Sequence, residues 1–293
     1  MKMRIVRNRF LLLFVLGGVL VSTGIATAGY AVRYLEETYD DTDCDPGDDT
    51  NDDREFSMMT YRWYAYMGYQ NYSTATVIDD YFREPALTDP DCEDWGRDYS
   101  YIELADIAFV GGHGNTARRV SNGPVFYRLR QNEIYDDDCK MWPDQQMRLG
   151  EGASDDIEIL HMYSCHSMTI DNNAHINTWH PVFGGLHQVD GLHGNGHVGL
   201  SLADDFYWLA RSGFSTGVGL EWIITLYVDD WDNNGYDNCP VAYSGRGSSA
   251  DALYLLNNEQ YDTREDYTDI ADPTNYKRIW ISGCLPNGAS ELP

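Results

Sequence analysis

Ala105-Asp-Ile-Ala-Phe-Val-Gly-Gly-His-Gly114 decides how this 293-residue chain folds. Ile107 to Val110 is apolar without interruption, the pattern of a strand buried on both faces, as in a parallel sheet. Gly111, Gly112 and Gly114 then allow a sharp turn and a close approach of backbone to a neighbour. Further on, Ile157-Glu-Ile-Leu-His-Met-Tyr-Ser-Cys-His166 repeats the design: an apolar run of strand length that stops in small residues and a reactive side chain. The interval between the two is long enough for a strand-helix-strand crossover. Ligands of open parallel sheets bind at the carboxyl ends of strands, so the two stretches predict one crevice shared by His113 and Cys165.

A cysteine nucleophile needs such a pairing. A thiol is mostly protonated at neutral pH, and a nearby imidazole lowers its pKa and can hand a proton to the leaving group. The two stretches resemble the caspase-like cysteine peptidases (the caspase, legumain, gingipain and clostripain group). Their motif is an apolar block ending in His-Gly and a later apolar block ending in a small residue and Cys. Asp106–Gly114 and Ile157–Cys165 carry the resemblance, and Trp179–Gly199 extends it toward an uncharacterised family of secreted domains within that group. The resemblance implies a caspase-like three-layer α/β fold, a parallel-rich sheet flanked by helices. It also implies a His113/Cys165 dyad that cleaves peptide bonds, with the backbone N–H groups of Gly114 and Cys165 as the oxyanion hole. No cofactor is required by that chemistry, and the partner it implies is a protein or peptide substrate. His166 directs its side chain the other way along the chain and is not expected to replace His113.

The composition narrows the setting. A net charge of −27, with 34 Asp and 13 Glu against 3 Lys and 17 Arg, argues against nucleic acid and anionic membranes as partners. An Asp-rich, Lys-poor surface suits either a halophilic source, where salt screens self-repulsion, or an acidic secreted protein. The start of the chain reads as an export signal. Lys2, Arg4, Arg7 and Arg9 precede an apolar core from Phe10 to Val21, and Ala26-Thr-Ala28 offers a small-x-small cleavage pattern. Left uncut, the uncharged run from Phe10 to Val32 is long enough to anchor in a bilayer. The expected organisation is a signal peptide over 1–28, an acidic linker over 29–53 and one α/β domain over 54–293.

All six cysteines (44, 92, 139, 165, 239 and 284) lie beyond the signal, in a setting where disulfides persist. If all six pair, Cys165 is no nucleophile, and the chain is a catalytically silent secreted binding or structural protein of the same fold. His113 is then a hydrogen-bonded loop histidine.

Other stretches carry weaker signals. Asp230, Asp232 and Asn234, with Gly235 at the turn, match the first half of a calcium loop, although Val241 stands where such a loop has its bidentate Glu. Asp41, Asp43 and Asp45 alternate similarly but run into Pro46. His187, His193 and His197 have no familiar zinc spacing and lie in a glycine-rich loop, which the resemblance uses to shape the substrate cleft. A metal-dependent hydrolase built on these histidines is the third reading. The remaining pattern predicts a strand within Phe56–Tyr72, a short helix over Thr76–Glu84, and a loop or helix start over Asn115–Arg119. A strand near Pro124–Arg130, a helix over Ser201–Ser212 and a buried strand over Val218–Val228 follow, then a helix over Ala250–Asn257 and a last strand over Arg278–Ser282.

Overall fold

The computed structural model describes residues 32–36, 62–64, 66–67, 71–74, 102–112, 114–117, 126–130, 140–151, 157–171, 173–197, 202–226 and 235–293. Its strands are β1 (Val32–Glu36), β2 (Asn71–Thr74), β3 (Ile107–Gly111), β4 (Gly114–Ala117), β5 (Phe126–Arg130), β6 (Lys140–Met141), β7 (Ile159–Tyr163), β8 (Gln188–Leu192), β9 (Pro240–Arg246) and β10 (Asn275–Trp280). Seven of them form the main sheet in the order β2-β1-β3-β7-β8-β9-β10, and β4, β5 and β6 form a small antiparallel sheet. From β2 to β8 every pairing is parallel, whereas β9 runs antiparallel to β8 and to β10. The protein is thus an α/β fold on a mixed sheet whose middle is parallel.

Both faces of that sheet are covered, which explains the unbroken apolar runs. Helices α1 (Leu202–Ser212), α2 (Val218–Leu226) and α3 (Ser249–Asn258) are the long ones. Ile107 and Phe109 of β3 and Ile159 and Tyr163 of β7 pack with Phe206 and Leu209 of α1 and Trp222 of α2. The alternate residues, Ala108, Val110, Leu160 and Met162, join Tyr127, Trp179, Val182 and Phe183 on the other face. The 3-10 segment Asn177–Val182 supplies much of that second layer. Each large side chain so buried contributes roughly 1.5–3 kcal/mol.

Local chemistry sets the helix ends. Ser248 caps α3 by accepting the Asp251 N–H at 3.1 Å. Asp204 and Asp205 sit in the first turn of α1 and Arg211 in its last, in the favourable order for the helix dipole. Gly213 then ends α1 where a Cβ would stand 2.2 Å from the Tyr261 ring. Among the described residues no helix is long and apolar enough to cross a membrane.

Several expectations change. Val218–Leu226 is a helix, not a strand: its apolar, β-branched composition favours a strand locally, but Val218, Trp222 and Leu226 recur at helical spacing against the sheet. Residues 62–64 and 66–67 are helical where a strand was expected, and Trp63 and Met67 enter the core from them. Gly114–Ala117 is a strand because it pairs with β5. β8 lies inside the stretch read as a glycine-rich loop. β1 lies within 29–53, so the sheet begins upstream of the acidic run, and Val32–Glu36 is not linker. The acidic run itself, the signal segment, Thr76–Glu84, and the calcium candidates Asp230, Asp232 and Asn234 lie outside the described residues.

Candidate active site

The two opening stretches end side by side. In the register of β3 and β7, Gly111 is opposite Tyr163, and the Gly112 N–H donates to the Tyr163 carbonyl at 3.2 Å. Gly114 then packs on the residues that follow β7. A Cβ built there would lie 2.2 Å from both the Cys165 carbonyl oxygen and Ser164 Oγ, so this position admits glycine alone without a backbone shift. His113 itself lies outside the described residues; the residues on either side of it, Gly112 and Gly114, contact 163–165.

Cys165 is half-buried and carries a thiol outside any disulfide. It sits in a tight turn in which Ser164 N–H donates to the Met162 carbonyl at 3.0 Å and Ser167 N–H to the Ser164 carbonyl at 3.2 Å. The turn is braced from three sides. Ser167 Oγ donates to the Met162 carbonyl and accepts the Leu192 N–H at 2.8 Å, Trp179 Nε1 donates to the Ser167 carbonyl at 2.7 Å, and the Tyr127 hydroxyl donates to Ser164 Oγ at 3.0 Å. Bracing of this kind lets the next residue, His166, hold φ at 62°, in the left-handed region that side chains seldom adopt.

One donor meets the sulfur directly: the Gly196 N–H points at Cys165 Sγ with an N–S distance of 3.4 Å. A hydrogen bond to the charged form favours it, so this donor stabilises a thiolate. Three described histidines nearby are disfavoured as cations. Burial lowers the pKa of His166, of His193 and of His175, the last to about 4. The His166 ring is engaged by Thr169 and Asn195, and His175 Nε2 donates to the His166 carbonyl at 2.9 Å. His193 is held as one tautomer, Nδ1 accepting the Ile170 N–H at 3.0 Å and Nε2 donating to the Ser290 carbonyl at 2.8 Å.

The opposite, amino ends of the strands carry charge instead. Asp106, Glu158 and His187 stand one residue before β3, β7 and β8 respectively. The buried Arg264 lies 3.0 Å from Asp106, 2.9 Å from Glu158 and 3.1 Å from Glu265. Those three carboxylates are close enough together to hold a metal, and Arg264 already supplies a cation to all three. Burial pushes Glu158 up, to about 8, against the pull of Arg264. At His187, burial opposes the charge, but Glu259 on one ring nitrogen and Asp269 at 2.9 Å on the other outweigh it and raise the pKa to about 9. His187 and His193 therefore lie beyond opposite ends of the five-residue β8, about 20 Å of strand apart. The zinc grouping of His187, His193 and His197 does not form.

Sequence reasoning passed over His161, Gly196, Asn238 and the disulfide between Cys239 and Cys284. His161 is core: its Nδ1 lies 2.9 Å from the buried Asp190, its Nε2 2.8 Å from the Tyr261 hydroxyl, and its ring is flat on Trp222. Gly196 was visible only as one glycine among many. Six cysteines allow fifteen complete pairing schemes, and nothing in their spacing selects the Cys239–Cys284 pair.

The chain matches no curated protein and no solved structure. A family model described as a domain of unknown function (DUF6345) matches residues 71–206, a span that contains His113, Gly114 and Cys165, and in that span the chain is similar to this domain.

Proposed function

We propose that the chain is an exported caspase-like cysteine peptidase acting on protein or peptide substrates. Cys165 Sγ attacks the scissile carbonyl carbon, and the electron pair of the C=O bond moves to oxygen, which the Gly114 and Cys165 N–H groups stabilise. As the tetrahedral species collapses the C–N bond breaks, and His113, protonated, gives its proton to the departing amine. Water activated by the now neutral His113 then hydrolyses the thioester, releasing the carboxylate and restoring the thiol.

The observation that carries this reading is the contact of Gly114 with Ser164 and Cys165, because it joins the two stretches at one end of one sheet. Three features support it further. Cys165 is a thiol rather than a disulfide sulfur, it receives the Gly196 N–H, and its turn holds a left-handed His166. The parallel run of β2, β1, β3, β7 and β8 with helices and short segments on its faces is consistent with the caspase-like three-layer arrangement.

The test is incubation of the mature protein with an unstructured protein substrate and identification of new chain ends by mass spectrometry. Cleavage is expected from the wild type and lost in Cys165→Ala and in His113→Ala. Cleavage that survives Cys165→Ala overturns the assignment, and no cleavage by any preparation leaves the silent binding protein as the better description.

A further inference from the structure

The donor that meets Cys165 Sγ belongs to the 193–197 loop after β8, whose His197 carbonyl accepts the Tyr163 hydroxyl of β7. Residues 286–290 hold it from one side. Asn195 N–H donates to the Asn287 carbonyl at 2.8 Å, and His193 Nε2 to the Ser290 carbonyl at 2.8 Å. Gly194, at φ 83°, leaves no room for a side chain against Pro286 and Asn287. From the other side the fully buried Asn238 accepts the His197 N–H on Oδ1 at 2.7 Å, and the Cys239 carbonyl accepts the His193 N–H at 2.8 Å. The 237–239 segment and the 284–290 strap thus grip the loop between them, and the Cys239–Cys284 disulfide ties the two together, with Asp237 N–H donating to the Leu285 carbonyl at 2.9 Å beside it. The loop also holds the nucleophile's turn, since the His166 N–H donates to the Gly194 carbonyl at 2.6 Å.

We propose that the Cys239–Cys284 disulfide is a positioning element for Cys165: it fixes the 193–197 loop so that the Gly196 N–H meets the sulfur, and the site is competent only once that disulfide has formed. This rests on the cysteine-peptidase reading. Asn238 is a positioning residue in the same device. The chemistry is ordinary exchange with a disulfide oxidant: the Cys239 thiolate attacks one oxidant sulfur and displaces the other as a thiolate, then the Cys284 thiolate attacks Cys239 Sγ of the mixed disulfide, closing the bridge and releasing the oxidant as a dithiol. A chain made in a reducing compartment therefore carries a slack loop and an unactivated thiol. Export to an oxidising one assembles the site.

The test compares iodoacetamide alkylation of Cys165, read by mass spectrometry from pH 5 to 9, in wild type and in Cys239→Ser/Cys284→Ser. With the Gly196 donor lost, the thiol pKa rises by about one unit, so labelling on the acid limb, below both pKa values, falls about tenfold and the profile moves to higher pH. Hydrogen exchange at the 193–197 amides speeds up in the same variant. Should the double variant fail to fold, Asn238→Ala with the disulfide intact decides the matter: it shows the same pH displacement, and Asn238→Asp, which keeps an acceptor for His197, restores the wild-type profile. Unchanged profiles overturn the proposal. Failure of the peptidase reading looks different, because the oxidised wild type then labels no faster than a simple thiol while exchange at 193–197 still responds to loss of the disulfide.

Discussion

Among single residues, some positions tolerate not one atom more. Gly114→Ala places a methyl 2.2 Å from the Cys165 carbonyl oxygen and Ser164 Oγ. Backbone has to move, at a cost of about 1–3 kcal/mol, and the thiol moves with it. The expected result is a lower unfolding temperature together with loss of Cys165 reactivity; an alanine variant with wild-type stability contradicts the contact. His187 makes a pH prediction. Its pKa is about 9 in the folded protein against 6.5 in the unfolded chain. A raised pKa contributes stability that is complete below pH 6.5 and lost as pH rises through 9. Glu158, held up at about 8 against 4.5, adds to that decline. His175, lowered to about 4, works on the acid side, where stability falls as pH drops from 6.5 toward 4. Between about pH 4.5 and 6.5 the His175 gain and the Glu158 loss oppose one another, so calorimetry from pH 4 to 9 is expected to show a plateau there and a decline above pH 6.5, and His187→Gln is expected to make that alkaline limb shallower. A limb as steep in the variant as in the wild type contradicts the assignment.

At the scale of elements, the amino ends of β3 and β7 are held by Arg264. Arg264→Met leaves Asp106 and Glu158 buried without their cation, and urea unfolding is expected to show a loss of about 3–5 kcal/mol. Arg264→Lys recovers only part of this, since an ammonium cannot present the fork that reaches several carboxylates at once. A loss below about 1 kcal/mol for Arg264→Met contradicts a buried network.

Which elements were legible in the sequence follows from what each buries. β3 and β7 read clearly because residues on both faces are apolar: Ile107 and Phe109 meet one layer, and Ala108 and Val110 the other. β8 hid because it brings Gln188, Asp190 and Gly191 into the interior, where Asp190 answers His161 on the neighbouring strand. α2 misled because an apolar helix against a sheet and an apolar strand inside one have the same composition. At the candidate site, the motifs that close β3 and β7 single out Gly114 and Cys165 in the sequence. Gly196 and Asn238 are not singled out, because they act through backbone and side-chain hydrogen bonds that arise only when three distant segments meet.

For the whole molecule, the dominant quantity is the net charge of −27. The buried ion pairs of Arg264 with Asp106 and Glu158 are screened little by salt, but the exposed carboxylates repel one another over about 10 Å at 0.1 M salt and about 3 Å at 1 M. The unfolding temperature is therefore expected to rise between 0.1 and 1 M potassium chloride, and a flat or falling response contradicts a surface limited by self-repulsion.

The central claim is that Cys165 is an activated thiolate whose partner is His113. The most direct measurement is the rate at which a thiol-directed alkylating probe labels Cys165 in the mature, oxidised protein across pH, mapped by mass spectrometry, with and without His113→Ala. Rapid labelling below neutral pH is expected in the wild type, and its loss in the variant. Slow labelling in both, or a Cys165 found in a disulfide, contradicts the claim.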